Sequence, residues 1–124
     1  MLKNAAMAFG IVFVLIGILG FVPGITNSDH MLLGFFHVDT LHNIIHLASG
    51  IAALALMSST TNAKLYFQIF GVVYALVTIL GFVQYNDTQL LGFLATNPAD
   101  DYLHLVIAIA ALYLGFGTKE AAVA

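Results

Sequence analysis

Two long runs without a charged residue constrain this chain more than any other feature. Ala5–Gly24 forms one run and Leu65–Gln84 the other, each twenty residues long. A helix of twenty residues extends about 30 Å, which is the thickness of the hydrocarbon core of a bilayer. Only 7% of the 124 residues are charged, whereas a soluble domain carries about 25%. The sequence therefore predicts a protein whose main partner is the lipid bilayer.

Two shorter apolar segments complete the predicted fold. They are Leu41–Ser58 and Tyr102–Gly117. Asn97 and Pro98 precede the second segment, and these residue types are preferred at the N-cap and first position of a helix. We predict an all-α fold, with four transmembrane helices in an up-down-up-down bundle that forms a single transmembrane domain over residues 1–124.

The charged residues separate between the two ends of such a bundle. Lys3, Lys64 and Lys119 fall at one end, and all five aspartates and all five histidines fall at the other, with Glu120 as the exception. The positive-inside rule makes the lysine-bearing end cytoplasmic. We therefore expect a multi-pass protein of the bacterial inner membrane with both termini in the cytoplasm. The absence of arginine argues against a nucleic-acid partner, and the absence of cysteine excludes thiolate ligands.

The two halves of the chain share a sequence pattern. FGIVFVLIGILGFV, starting at Phe9, matches FGVVYALVTILGFV, starting at Phe70, at a spacing of 61 residues. At a spacing of 58, LLGF recurs and NIIHL corresponds to DYLHL, which starts at Asp101. These matches predict an internal two-helix repeat, at about residues 5–60 and 65–117. Parallel repeats of this kind are related by a pseudo-twofold axis along the membrane normal.

Four strings of sequence carry a resemblance to a known family. They are GILGFVPG after the first helix, LLGFFHVDTLHNIIHLASG into the second, FGVVY in the third and NPADDYLHL into the fourth. Together, from Ala5 to about Gly117, they resemble a bacterial family of small four-helix integral membrane proteins classed as a domain of unknown function. The resemblance implies a four-span fold and assigns no activity. The positions that it carries over, without roles, are His42, Asn43, His46, Asp101 and His104.

Polar residues cluster where the second and fourth helices begin. Residues three and four apart share one face of a helix. Asp39, His42, Asn43 and His46 therefore form one stripe, and Asp100, Asp101 and His104 form another. The repeat places His46 and His104 at equal depth, about one turn inside the outer rim, facing each other across the bundle. We expect these stripes to line a pocket on the periplasmic side.

A metal site is the functional hypothesis that we favour. His42 and His46 at i and i+4 can chelate one ion, and His104 with Asp101 would complete a four-coordinate shell. Imidazole and carboxylate ligands without thiolate suit zinc, copper, iron or manganese. Three further side chains would orient these ligands through hydrogen bonds: Asp39, Asn43 and Asp100. The predicted function is non-catalytic binding of a metal ion or a small cofactor.

Several alternatives remain open at this level. A b-type haem for electron transfer would use His46 and His104 as axial ligands, although no arginine is present to pair with its propionates. A quinone or another small amphiphile would suit the same pocket. In a purely structural alternative, Asp101 accepts a hydrogen bond from His46 while Asn43 bonds His104, inside an accessory subunit of a larger membrane complex or a homo-oligomer. An enzyme is not favoured, because the chain has no nucleophile elbow, phosphate loop or cysteine.

Overall fold

A computed structural model describes residues 1–34, 36–84, 89–90, 94–95 and 97–118. The described residues are mostly helical, with two antiparallel β-hairpins. The helices are α1 (Leu2–Leu19), α2 (Thr40–Leu56), α3 (Thr60–Val83) and α4 (Pro98–Leu112), which continues into one π-helical turn, Tyr113–Gly117. The hairpins pair β1 (Met31–Leu32) with β2 (Phe36–His37), and β3 (Gln89–Leu90) with β4 (Leu94–Ala95). The sequence predicted helices alone, and its statements about Asp87, Lys119 and Glu120 lie outside the described residues.

The first helix ends earlier than the uncharged run predicts. α1 ends at Leu19, whereas the run continues to Gly24. Pro23 disfavours a helical conformation at the residue before it, and Gly24 has a φ of 94°, in the left-handed region. The Thr26 hydroxyl donates a hydrogen bond of 2.9 Å to the Leu19 carbonyl, which also accepts one of 3.1 Å from the Val22 backbone N–H. Residues beyond the helix thus satisfy a carbonyl at its C-terminus. The chain therefore turns away directly after α1.

Three helical segments are long and apolar enough to cross a bilayer. They are Leu2–Leu19, Thr60–Val83 and Pro98–Gly117, while Thr40–Leu56 is shorter. At 17 residues, α2 extends about 26 Å and lies at the lower limit for a span. Large apolar side chains on the outer faces are about half exposed or more, for example Ile11, Ile51, Ile69 and Ile109. The fold is that of a helical membrane protein.

Small residues bring the helices together in two antiparallel pairs. α1 packs against α2, and α3 packs against α4. A Cβ added to Gly10 would lie 2.6 Å from the Leu54 side chain, and one added to Gly71 would lie 3.0 Å from the Leu112 side chain. Glycine permits this closeness, as it commonly does between membrane helices. At the end of α4, the Gln68 side-chain amide of α3 donates a hydrogen bond of 3.0 Å to the carbonyl of Gly115 in the π-helical turn.

Aromatic rings fill the centre between the two helix pairs. Phe9 of α1 meets Phe67 of α3 edge-on at 5.0 Å between ring centroids, and Phe13 meets Phe70 at 5.3 Å. Phe70 stacks on Tyr74 at 4.2 Å. Edge-to-face contacts of this kind stabilise beyond the area that they bury. This aromatic core lies below the end at which α2 and α4 begin, which we call the histidine end; the opposite end, where α1 and α3 begin, is the lysine end.

Candidate metal centre

Three buried imidazoles meet at the histidine end. His42 and His46 come from the first turns of α2, and His104 comes from α4. Their ring centroids are 4.4 Å apart for His42 and His46, and 5.7 Å apart for His42 and His104. One nitrogen from each ring lies within 4.8 Å of the other two. Each residue is at most 4% exposed, so the three imidazoles form one group shielded from solvent.

Helix caps fix the positions of these histidines. The Asp39 carboxylate caps α2 and accepts a hydrogen bond of 2.7 Å from the His42 backbone N–H. Asn97 caps α4 in a capping box, in which its side chain accepts from the Asp100 N–H while the Asp100 carboxylate accepts from the Asn97 N–H. Caps of this kind satisfy the free N–H groups of a first helical turn. The predicted role of Asn97 at the start of α4 is confirmed, with Pro98 in the first turn.

Aromatic side chains that the sequence analysis did not assign to the site close its inner side. Phe13 of α1 meets the His46 ring edge-on at 5.6 Å, and Tyr74 of α3 meets the His104 ring at 5.5 Å. Phe13 and Tyr74 stand at the same place in the two matching strings, 61 residues apart. That correspondence is the only signal in the sequence that could have identified them. They separate the imidazoles from the interior of the bundle.

Four buried side-chain atoms of the polar residues near the starts of α2 and α4 have no hydrogen-bond partner among the described residues. They are Asn43 Oδ1, His46 Nδ1, Asp101 Oδ1 and His104 Nδ1. Buried polar atoms in folded proteins almost always have a partner, and each exception calls for an explanation. A bound species that accepts electron pairs, such as a metal ion, would satisfy the two imidazole nitrogens.

Asn43 and Asp101 lie against glycines of the neighbouring helices. A Cβ on Gly20, directly after α1, would collide with the Asn43 side chain, and a Cβ on Gly81 of α3 would collide with the Asp101 carboxylate. The group of ligand atoms within 4.8 Å comprises His42, His46 and His104. The structure thus brings together the three predicted imidazoles, while Asp101, the fourth predicted ligand, packs against α3.

Asp100 joins the first hairpin to α4. Its carboxylate accepts hydrogen bonds from the backbone N–H groups of Asn97 and His37, and the residue is 2% exposed. Asp101, next to it, is 3% exposed. Lys3 and Lys64 stand in the first turns of α1 and α3, at the opposite end. Two buried carboxyl groups therefore lie at the histidine end, far from the described lysines.

Residues 3–117 match the family described as a domain of unknown function, DUF4383. The chain belongs to the DUF4383 family. The prediction that it resembles a domain of unknown function is thereby confirmed, and the match with DUF4383 includes every residue of the cluster. Searches of curated proteins and of solved structures found no match.

Proposed function

We propose that this DUF4383 protein binds one transition-metal ion through His42, His46 and His104, without catalysis. The observation that carries the proposal is the pair of buried, unpartnered nitrogens, His46 Nδ1 and His104 Nδ1, within a group of three imidazoles whose ligand atoms lie within 4.8 Å. A ring nitrogen that lacks a protein partner is available to a metal. An ion at the centre would satisfy both nitrogens.

The spacing of the imidazoles requires only a small rearrangement. A metal–nitrogen distance of about 2.0–2.1 Å places two ligand atoms of a tetrahedral site about 3.3 Å apart. The ligand atoms here lie within 4.8 Å of one another. The rings would therefore close by at most about 1.5 Å, a distance that rotation of a side chain supplies.

The charges near the site favour a divalent cation. Asp100 and Asp101 are buried beside His104 on α4, and a buried charge requires a partner of opposite sign. A divalent ion at the imidazoles would favour the ionised forms of both carboxyl groups, and two carboxylates with one divalent ion sum to zero. The three imidazoles are neutral ligands, so the ion itself would supply the positive charge that lysines do not bring to this end.

The ligand set narrows the choice of metal. Imidazole suits zinc, copper and iron, and carboxylates extend the choice to manganese. At a nitrogen-rich site, copper and zinc bind more tightly than iron or manganese. Three protein ligands leave a fourth position open, as in sites that also hold a water or a further ligand.

The same geometry does not favour haem. Axial imidazoles bind the two faces of a macrocycle, so the space between them must admit a large flat ring. Here the His42 ring stands 4.4 Å from the His46 ring and 5.7 Å from the His104 ring. A macrocycle held between His46 and His104 would have to displace His42.

The network alternative is not formed at four of the side-chain atoms that it would use. It requires that Asp101 accept a hydrogen bond from His46 and that Asn43 form a hydrogen bond with His104. Asp101 Oδ1 and His46 Nδ1 both have no partner in the part of the chain that the structure describes, and the same holds for Asn43 Oδ1 and His104 Nδ1. Each such interhelical bond would contribute only about 0.6 kcal/mol on average.

Several correspondences support an internal repeat in this proposal. β1 and β2 pair Met31 with His37, and β3 and β4 pair Gln89 with Ala95, both partners 58 residues later. The N-caps Asp39 and Asn97 have the same spacing. The unpartnered atoms belong to residues 43 and 46 and to residues 101 and 104. A duplicated two-helix unit would form an up-down-up-down bundle of four spans with both termini at the lysine end. We place that end on the cytoplasmic side of a bacterial inner membrane.

Elemental analysis of the purified protein tests the proposed function. After incubation with Zn²⁺ and removal of excess metal, wild type in detergent should retain one ion per chain, and His46→Ala and His104→Ala should retain far less. His37→Ala is the matched control, because His37 is a histidine of the same end outside the group, and it should retain the wild-type amount. A wild-type protein that retains no metal, or a His46→Ala variant that retains all of it, would refute the proposal.

A further inference from the structure

A polar cavity at the histidine end has no part in the proposal so far. It is an open cavity of about 410 Å³ between the end of α1 and the start of α2. Polar residues in its lining include Asn27, Ser28, His30, Asp39, Thr40 and Asn43. The cavity therefore brings hydrophilic side chains to the rim of the molecule, beside apolar lining residues such as Phe21, Val22 and Pro23.

The cavity extends to the edge of the metal centre. Asn43 is part of its lining, and Asn43 is 2% exposed with its Oδ1 atom unpartnered. On α2, Asn43 follows His42 directly and precedes His46 by nearly one turn. Among the residues that line the cavity, Asn43 is therefore the one nearest in sequence to both His42 and His46.

Two further cavities are unsuited to a hydrated ion. A groove of about 330 Å³ between α1 and α4 has only apolar lining residues, such as Phe9 and Val106. A groove of about 400 Å³ between α2 and α3 includes two tyrosines, but Tyr66 donates its hydroxyl hydrogen bond to the Ser49 carbonyl and Tyr74 bonds the Ser49 side chain. Because a cation gives up its water only in exchange for other ligands, these grooves do not admit one.

The polar cavity has the size and the charge that a hydrated cation requires. Six waters occupy roughly 180 Å³ at about 30 Å³ each, well below the 410 Å³ of the cavity. Asp39 contributes a carboxylate to the lining. A cleft with a negative wall raises the local concentration of cations and the rate at which they arrive.

His30 is held at this cavity by the turn that precedes β1. Its φ of 62° lies in the left-handed region, which residues other than glycine adopt only when their surroundings require it. The Asn27 side chain accepts hydrogen bonds from the backbone N–H groups of Asp29 and Met31, and the His30 carbonyl accepts one from Val38. The result is an exposed imidazole at a fixed place on the rim.

We propose that this cavity is the route by which a hydrated transition-metal ion reaches His42, His46 and His104, and that His30 is the first ligand it meets. This inference rests on the proposed function, since it concerns how the same site is filled. A ring nitrogen of His30 replaces one water bound to the ion. The ion then passes Asn43 and reaches the three imidazoles.

Loading kinetics separate the route from the site. Co²⁺ is the probe, because its visible absorption intensifies when it becomes tetrahedral, and mixing it with the metal-free protein in a stopped-flow instrument gives a rate. We expect His30→Ala to load about tenfold more slowly than wild type, the lower end of steering effects, with the same final amount bound. Ser28→Trp, which narrows the cavity with a large ring, should also load slowly. His37→Ala, outside this lining, should load at the wild-type rate.

The outcomes are distinguishable. Loading of His30→Ala at the wild-type rate would overturn the role of His30, and loading of Ser28→Trp at that rate would overturn the route, while an unchanged final stoichiometry would leave the proposed function intact. If wild type binds no Co²⁺ and no Zn²⁺ at equilibrium, the proposed function fails and this inference fails with it.

Discussion

The contact between Asp101 and Gly81 predicts a measurable coupling between two substitutions. A Cβ on Gly81 would lie 2.9 Å from the Asp101 Cγ and closer still to Oδ1. Asp101 is 3% exposed, so its carboxyl group has little room to move. Overpacking of this kind costs about 1–3 kcal/mol, and alanine in place of a helical glycine gains about 1 kcal/mol. Gly81→Ala should therefore lower the free energy of unfolding by about 0–2 kcal/mol.

The same substitution should have the opposite sign when the carboxyl group is absent. In the Asp101→Ala background nothing opposes the new methyl group, and only the gain in helix propensity remains. Gly81→Ala should then raise the free energy of unfolding by up to about 1 kcal/mol. The coupling energy between Gly81→Ala and Asp101→Ala is the overpacking cost, about 1–3 kcal/mol.

The assay is a double-mutant cycle of four proteins, unfolded in detergent micelles by titration with sodium dodecyl sulfate and followed by circular dichroism. Gly81→Ala combined with Ile51→Ala is the control cycle, because Ile51 lies on the outer face of α2 and should be additive within about 0.5 kcal/mol. Additivity within that limit for Gly81→Ala with Asp101→Ala would refute the placement of the carboxyl group against α3.

Three further predictions concern the ion and the topology. Bound metal should be lost as the pH falls, because imidazoles bind the ion only in their neutral forms and protons compete with it; an occupancy in elemental analysis that does not fall at any acidic pH at which the protein stays folded would exclude histidine ligation. His42→Gln should weaken Zn²⁺ binding at least about 100-fold by removing a ligand, whereas Asp100→Asn, which keeps an acceptor for the His37 N–H, should weaken it about tenfold. Titration with a competing chelator measures both affinities. A larger loss of affinity in Asp100→Asn than in His42→Gln would contradict the ligand set. Because the chain has no cysteine, single cysteines introduced as Asn62→Cys and Ser28→Cys report topology. In spheroplasts an impermeant maleimide should label Ser28→Cys but not Asn62→Cys. Labelling of both variants, or of Asn62→Cys alone, would contradict the proposed orientation.

Local spacing in the sequence predicted much of the candidate site. The i, i+4 relation between His42 and His46 follows from helix periodicity alone, and both rings do meet. The cap at Asn97 was also readable, because its preference is a property of the residue and its immediate neighbours. Interactions within one helical turn need no knowledge of the tertiary fold.

Contacts between helices were not predictable in the same way. The stripe on α4 indicated that Asp101 faces inward, but the rotation of α3 decides whether that carboxyl group meets an imidazole or Gly81. The two-residue strands were not predicted, because the string MLLGFF is typical of an apolar loop. Leu33 at the turn has a φ of 55°, which a leucine seldom adopts. Both outcomes depend on packing that no local pattern encodes.

The asymmetry between the halves bears directly on the number of ligands. At the spacing of 58 residues, His46 corresponds to His104, whereas His42 corresponds to Asp100 and Asn43 to Asp101. Two identical halves would supply an even number of imidazoles, whereas the group at the histidine end has three. Asp100, at the position that corresponds to His42, has a different task, since its carboxylate accepts a hydrogen bond from the His37 backbone N–H. In the proposed repeat, this difference would leave three imidazoles on one side and buried carboxyl groups on the other, a set that could both ligate a divalent ion and neutralise it.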